Sequence, residues 1–213
     1  MRAERLQQGS FRYRTIVDGR QAGTSTIEVR KRAGSATWEF SNRITGAFSQ
    51  DWLAIATDSF APISARLRFG EGDEARTAFE LSYADGRVRG LAFSRQPPYS
   101  SRPVDEPVTA DTVDQRIDWA AVMSLPEYAA GDEWTFRVYD PGTGLSRIRV
   151  AIGGVEKLDV PAGSFEAVRL VYTIDKNRGA EKYEAFIRRL VPRFLLRERF
   201  PNGSLTELVE IAP

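Results

Sequence analysis

The sequence predicts a mainly β protein, an antiparallel curved sheet with one short helix plugging its open side. Three observations carry this reading. Apolar and polar residues alternate with a period of two along most of the chain, the pattern of strands with one buried face. Turn residues interrupt the alternation at intervals: DGRQAG at 18–23, AGS at 33–35, ADG at 84–86, DPGTG at 140–144, IGG at 152–154 and PNG at 201–203. Only one segment, TVDQRIDWAAVMSLP at 112–126, has helical spacing.

Taken in order, the first group of strands is expected at 10–17, 24–32, 37–44, 47–56, 62–69, 75–83 and 87–94. The second group is expected at 133–140, 145–152, 155–160, 164–175, 181–190, 193–200 and 203–211. Asp85-Gly86 and Asn202-Gly203 are dipeptides that tight hairpins select, because such turns need positive φ. Sequential strands are therefore expected to be neighbours. At 160–164, VPAGS marks a corner: proline presets φ for a turn and Gly163 completes it. Alternation gives the faces, with Trp38, Phe40 and Ile44 on one side of their strand. Trp134, Phe136 and Val138 likewise oppose Glu133, Thr135 and Arg137.

In the helical segment, Thr112 followed by Gln115 reads as a capping box and Pro126 as a stop. Val113, Ile117, Ala120 and Ala121 then share a face that would cover the sheet. Before it, SRQPPYSSRPVDEPVTAD at 94–111 reads as an exposed connector between the strand groups. At 213 residues the chain is expected to form a single domain, 1–213.

Composition excludes several function classes. With no cysteine and no histidine, the chain can hold no disulfide, Cys/His zinc site, iron–sulfur cluster, Ser-His-Asp triad or Cys-His nucleophile. The 30 basic and 29 acidic residues leave a formal charge of +1, against a general nucleic-acid binder. No apolar run approaches the ~20 residues of a spanning helix, so no transmembrane segment is expected. The N-terminus, MRAERLQQGSFRYR, has no apolar h-region. This reads either as a cytoplasmic chain or as one whose export signal has been removed.

Candidate sites are few. Asp105/Glu106 and Asp132/Glu133 are adjacent acids that point apart, and they read as surface residues rather than an acid/base couple. Gly142, Gly144, Gly153 and Gly154 lack the Lys-Ser/Thr and helix of a phosphate loop and read as turns. The aromatic residues carry more information. A curved sheet under a single helix can leave part of its concave face unfilled, and Trp38, Phe40, Trp134 and Phe136 are the candidate residues lining a ligand-binding cavity there. Core packing is the competing reading of all four.

Several segments together resemble the bacterial exported-protein family known as domain of unknown function 3108. FRYRTIVDGRQAGTSTIEV resembles its opening hairpin. YAAGDEWTFRVYD and VAIGGVEKLDVPAGSFEAVRLVY resemble its second half, and VPRFLLRERFPNGSLTELVEI its closing hairpin. The resemblance implies an antiparallel half-barrel with a helix on its concave side, similar to periplasmic lipoprotein carriers, and a periplasmic or cell-envelope location. It supplies no catalytic residue. The expected function is a non-enzymatic envelope protein, without cofactor, that holds a lipid or acyl-chain ligand. The alternative is a structural protein that engages an envelope protein partner and binds no small ligand. An enzyme ranks last, since the residue types that activate nucleophiles are missing.

Overall fold

The computed structural model describes residues 1–46, 48–94, 100–176 and 179–212. Its strands are β1 (Gly9–Val17), β2 (Arg20–Lys31), β3 (Thr37–Gly46), β4 (Gln50–Thr57), β5 (Pro62–Phe69), β6 (Arg76–Ala84), β7 (Arg87–Phe93), β8 (Ser101–Pro107) and β9 (Thr112–Asp114). After the helix α1 (Asp118–Met123) come β10 (Glu133–Asp140), β11 (Gly144–Val160), β12 (Gly163–Lys176), β13 (Gly179–Arg188), β14 (Leu195–Arg199) and β15 (Leu205–Ala212). All belong to one sheet in the order β8-β7-β6-β5-β4-β3-β2-β1-β15-β14-β13-β12-β11-β10-β9. The meander thus runs outward from its centre in both directions, and the first and last strands pair there.

The two edges of the sheet, β8 and β9, are joined by only four residues, 108–111. That length holds them within roughly 18 Å of each other, so the sheet must curl. Side chains bridge the gap: the Tyr83 hydroxyl on β6 donates to Asp114 on β9 at 2.6 Å, and Arg102 on β8 donates to the Pro141 carbonyl beyond β10. Among the described residues no ladder joins the edges, so the sheet stays open rather than closing into a barrel.

The expected antiparallel sheet is corrected in one place. β9 pairs in parallel with β10, Val113 opposite Val138, which makes the sheet mixed. The same residues shorten the expected helix. Val113 lies in a buried strand, and the Thr112 hydroxyl accepts from the Thr109 amide rather than capping a helix. Asp114 instead accepts from the Arg116 amide at 2.9 Å and starts a 3-10 turn, Gln115–Ile117, which leads into the six-residue α1. The expected connector also changes: 95–99 lies outside the described residues, and Ser101–Pro107 is the edge strand β8. Pro103 and Pro107 fit an edge strand because only one side of it pairs.

Gly153 and Gly154 form a bulge rather than a turn, so two expected strands merge into the 17-residue β11. The corner at 160–164 is confirmed as a two-residue connection, with Val160 paired to Gly163.

The core lies on the concave side. α1 buries Ala120, Ala121, Val122 and Met123, and Trp119 meets the Phe40 ring edge-on with centroids 6.3 Å apart. Beyond α1, the buried Arg193 guanidinium donates to the Met123 carbonyl at 3.0 Å and to the carbonyls of Leu125 and Pro126. These carbonyls are left over where the helix stops, and one side chain satisfies them.

Candidate ligand groove

The groove forms where the β1–β2, β3–β4 and β14–β15 turns gather at one end of the concave face. Strand register explains its floor. Glu198 on β14 pairs with Ala185 on one side and Thr206 on the other; Thr206 pairs with Thr15, Thr15 with Gly23, and Gly23 with Gly46. Residues in register share a face, so this row crosses six strands with only one long side chain, that of Glu198. Gly23 and Gly46 come so close that a Cβ on Gly46 would sit 2.6 Å from the Gly23 Cα. Small residues therefore leave a cavity of about 580 Å³, with Thr15, Gly23, Glu198 and Thr206 in its wall.

Its mouth is apolar. Val17, Ile44, Phe48, Phe200 and Pro201 line it, and Phe48 is 58% exposed and Val17 39% exposed. Tyr172 stacks on Tyr183 at 4.6 Å and Tyr183 on Phe200 at 5.7 Å, an aromatic run that ends at the groove. Deeper in, the Tyr13 hydroxyl donates to the Leu195 carbonyl at 3.0 Å.

The charge in the groove is acidic. Glu181 and Glu198 line it, with no Lys or Arg among its described lining residues. Glu198 is half-buried, and burial pushes its carboxyl up to about 7. At the start of α1, burial likewise pushes the Asp118 carboxyl up to about 7, opposed by a hydrogen bond from the Trp119 amide and reinforced by the charge of Glu198. Asn42 contributes a buried Oδ1 with no donor. Among the described residues no three acidic side chains are grouped to hold a metal ion.

A second polar cluster lies beneath α1. Arg116 donates through Nε to Asp114 at 2.5 Å and through another nitrogen to Asp140 at 2.5 Å, while Tyr83 completes Asp114. Arg116 and Asp114 are buried and saturated by one another, so this cluster clasps strands rather than offering a site.

None of the four aromatics singled out in the sequence lines the groove. Trp38 and Phe40 pack in the core, where the Trp38 Nε1 donates to Asp58 and Phe40 lies against Phe60 and Trp119. Phe136 is buried on β10, and Trp134 is partly buried against the core. Trp134→Ala is expected to destabilise by roughly 2 kcal/mol, less than a fully buried Trp would, and to leave the response of the melting temperature to lipid extract unchanged. Thermal melts with and without lipid extract check both halves. Glu198, which the sequence did not single out, lines the groove, and its signal is parity: in LLRERF, Glu198 falls on the side of Leu196 and Phe200, opposite Arg197 and Arg199.

A family model described as protein of unknown function, DUF3108, matches residues 10–206. The chain belongs to this family. Among solved structures, the DUF3108 chain is similar to a β-barrel-like protein of domain of unknown function DUF1849 from Brucella abortus. The TM-score is 0.58 at 10% identity, covering 97% of this chain and 98% of that one. A protein from Bacteroides fragilis described as exported, with a YmcC-like fold, aligns at TM-score 0.42 and 14% identity over 98% and 97% of the two chains. A protein from Parabacteroides distasonis described as a lipoprotein aligns at 0.37 and 11% over 99% and 98%. At 10% identity the likeness to the Brucella abortus protein concerns the fold alone. A search of the curated proteins finds no match. Among the described residues no helix is long and apolar enough to cross a membrane.

Proposed function

We propose that this DUF3108 protein is a non-enzymatic binding protein of the bacterial cell envelope that holds a lipid or other apolar ligand in its half-barrel groove. One observation carries the reading: a cavity of about 580 Å³ whose mouth presents exposed Val17 and Phe48 beside Phe200. Apolar side chains converging on an unfilled concavity lose contact with water when a chain of methylenes enters, at about 0.8 kcal/mol per buried CH₂. Among the described residues the groove walls carry hydroxyls and carboxyls but no nucleophile held by a base, which favours binding over catalysis.

Native mass spectrometry of the purified protein, followed by lipid analysis of what denaturation releases, tests this. A near-stoichiometric acyl-chain molecule is the expected result. A clean apo mass, together with no thermal shift on adding lipid extract, would sink it.

A second reading is an envelope interaction protein, favoured by apolar exposure at the opposite end of the sheet. There, in the β13–β14 loop, Leu190 is 59% and Val191 54% exposed. Such exposure fits a partner surface, and it gains weight if the apo result is obtained.

A further inference from the structure

We propose that the groove is selective for a protonated amine head group: a single-chain alkylammonium amphiphile places its nitrogen at Glu198 and its chain against Val17, Ile44, Phe48 and Phe200. This rests on the reading of the groove as an apolar-ligand site and names the chemistry of the ligand's polar end.

Charge complementarity argues for it first. Among the described residues the lining carries two carboxyls, Glu181 and Glu198, and no cation. The Glu198 carboxyl has no hydrogen bond or ion pair to a described residue. A fatty acid or phosphate head group would set an anion beside that carboxyl in a partly desolvated space, where like charges repel strongly.

Hydrogen-bonding capacity argues second. An ammonium brings three donors and no acceptor. The groove supplies an acceptor that lacks a donor, the Glu198 carboxylate, and elsewhere in its lining the buried Asn42 Oδ1. The Thr206 hydroxyl, next to Glu198 in register and 3.4 Å from the Thr15 hydroxyl, can turn its oxygen to a further donor. A partner-less carboxyl in an apolar setting is disfavoured when ionised, and an entering cation removes that penalty.

The environment of Glu198 also makes binding pH-dependent. Facing it are Asp118 from α1, Tyr13 from β1, Tyr172 from β12, and Tyr183 with Glu181 from β13. The tyrosine hydroxyls are all held well above their ordinary range, burial being the main cause, so they stay neutral near pH 7. With its own carboxyl pushed up to about 7, Glu198 is ionised more fully at pH 8 than at pH 6, and amine affinity rises across that interval.

The test is calorimetric titration at pH 7.5 with dodecylamine, dodecanol and dodecanoate, the two ionic ligands below their micelle concentrations and dodecanol below its solubility limit. Dodecylammonium is expected to bind roughly tenfold tighter than dodecanol, with dodecanoate weakest, as one charge-assisted contact predicts. In Glu198→Gln the ratio of amine to alcohol affinity should fall to about one. Phe48→Ala, at an exposed position that folding tolerates, should weaken amine and alcohol alike and so place both chains at the mouth. The order of the three ligands on the unaltered protein can be read even if Glu198→Gln fails to fold. Dodecanol or dodecanoate binding as tightly as the amine, or a preference that survives in Glu198→Gln, overturns the head-group assignment and leaves the groove standing. No binding by any of the three overturns the groove as an apolar-ligand site, and this inference with it.

Discussion

Replacing Arg116 with methionine is expected to destabilise the protein by roughly 3–5 kcal/mol, the usual cost of removing one partner from a buried ion pair. Arg116 is nearly inaccessible and binds both oxygens of Asp114, at 2.5 and 2.6 Å, while reaching Asp140 on β10. Its guanidinium also lies 4.5 Å from the centroid of the Phe79 ring on β6. The side chain thus ties β9 and β10, on one flank of the open sheet, to β6 on the other. Among the described residues no backbone ladder does this, so these polar contacts fasten flanks that the short 108–111 link already brings together.

Methionine would fill much of the volume but leave the Asp114 carboxylate buried with only Tyr83 and the Arg116 amide as donors. Urea denaturation measures the loss. A double variant, Asp114→Asn with Arg116→Met, should recover more than ~1 kcal/mol relative to the sum of the singles, because the orphaned charge is gone. A loss under ~1 kcal/mol in Arg116→Met would show that the flanks are fastened elsewhere.

Local alternation made most strands legible, and the 62–69 and 133–140 boundaries coincide with β5 and β10. Asp85-Gly86 behaves as a hairpin dipeptide should, with φ of 53° and 68°. At the β14–β15 turn Gly203 alone takes positive φ, and Asn202 instead accepts from the Ser204 amide. What escaped was non-local. Pro103 and Pro107 suppress the strand signal of β8, and only its place at an edge makes them tolerable. Thr112 and Gln115 carry a capping-box spacing, but Asp114 wins the local competition because Arg116 can bind it from both backbone and side chain.

The groove is illegible for a related reason. Each of Thr15, Gly23, Gly46 and Thr206 is unremarkable along the chain, and the cavity exists only because register aligns them across strands distant in sequence. Large aromatics drew attention by size, yet size is what lets Trp38 and Phe40 fill a core completely.

Stability is expected to fall by roughly 2–4 kcal/mol between pH 5 and pH 8, owing to Glu198 and Asp118. The sign follows from the direction of the shifts. Each carboxyl titrates near 4 in the unfolded chain and at about 7 in the fold, chiefly through burial. The folded state therefore binds the proton more tightly. Its advantage is complete below the unfolded value and is lost as pH rises through about 7. The expected total is less than two independent shifts would give, because the two charges also repel each other.

Glu207 works in the opposite direction. Burial raises it, but hydrogen bonds from Arg14 and Arg197 outweigh burial and hold it below its ordinary value. Its contribution is lost only as pH falls below about 4.5, so the optimum should lie near pH 5. Urea midpoints measured across pH 4–8 check the profile, and Glu198→Gln and Asp118→Asn should each flatten its alkaline limb. A flat profile from pH 5 to 8 would mean that neither carboxyl is desolvated. The groove would then lack the uncompensated charge that makes an ammonium ligand favourable. If the limb is present, dodecylammonium should flatten it as the variants do, by supplying the cation that the fold withholds from Glu198.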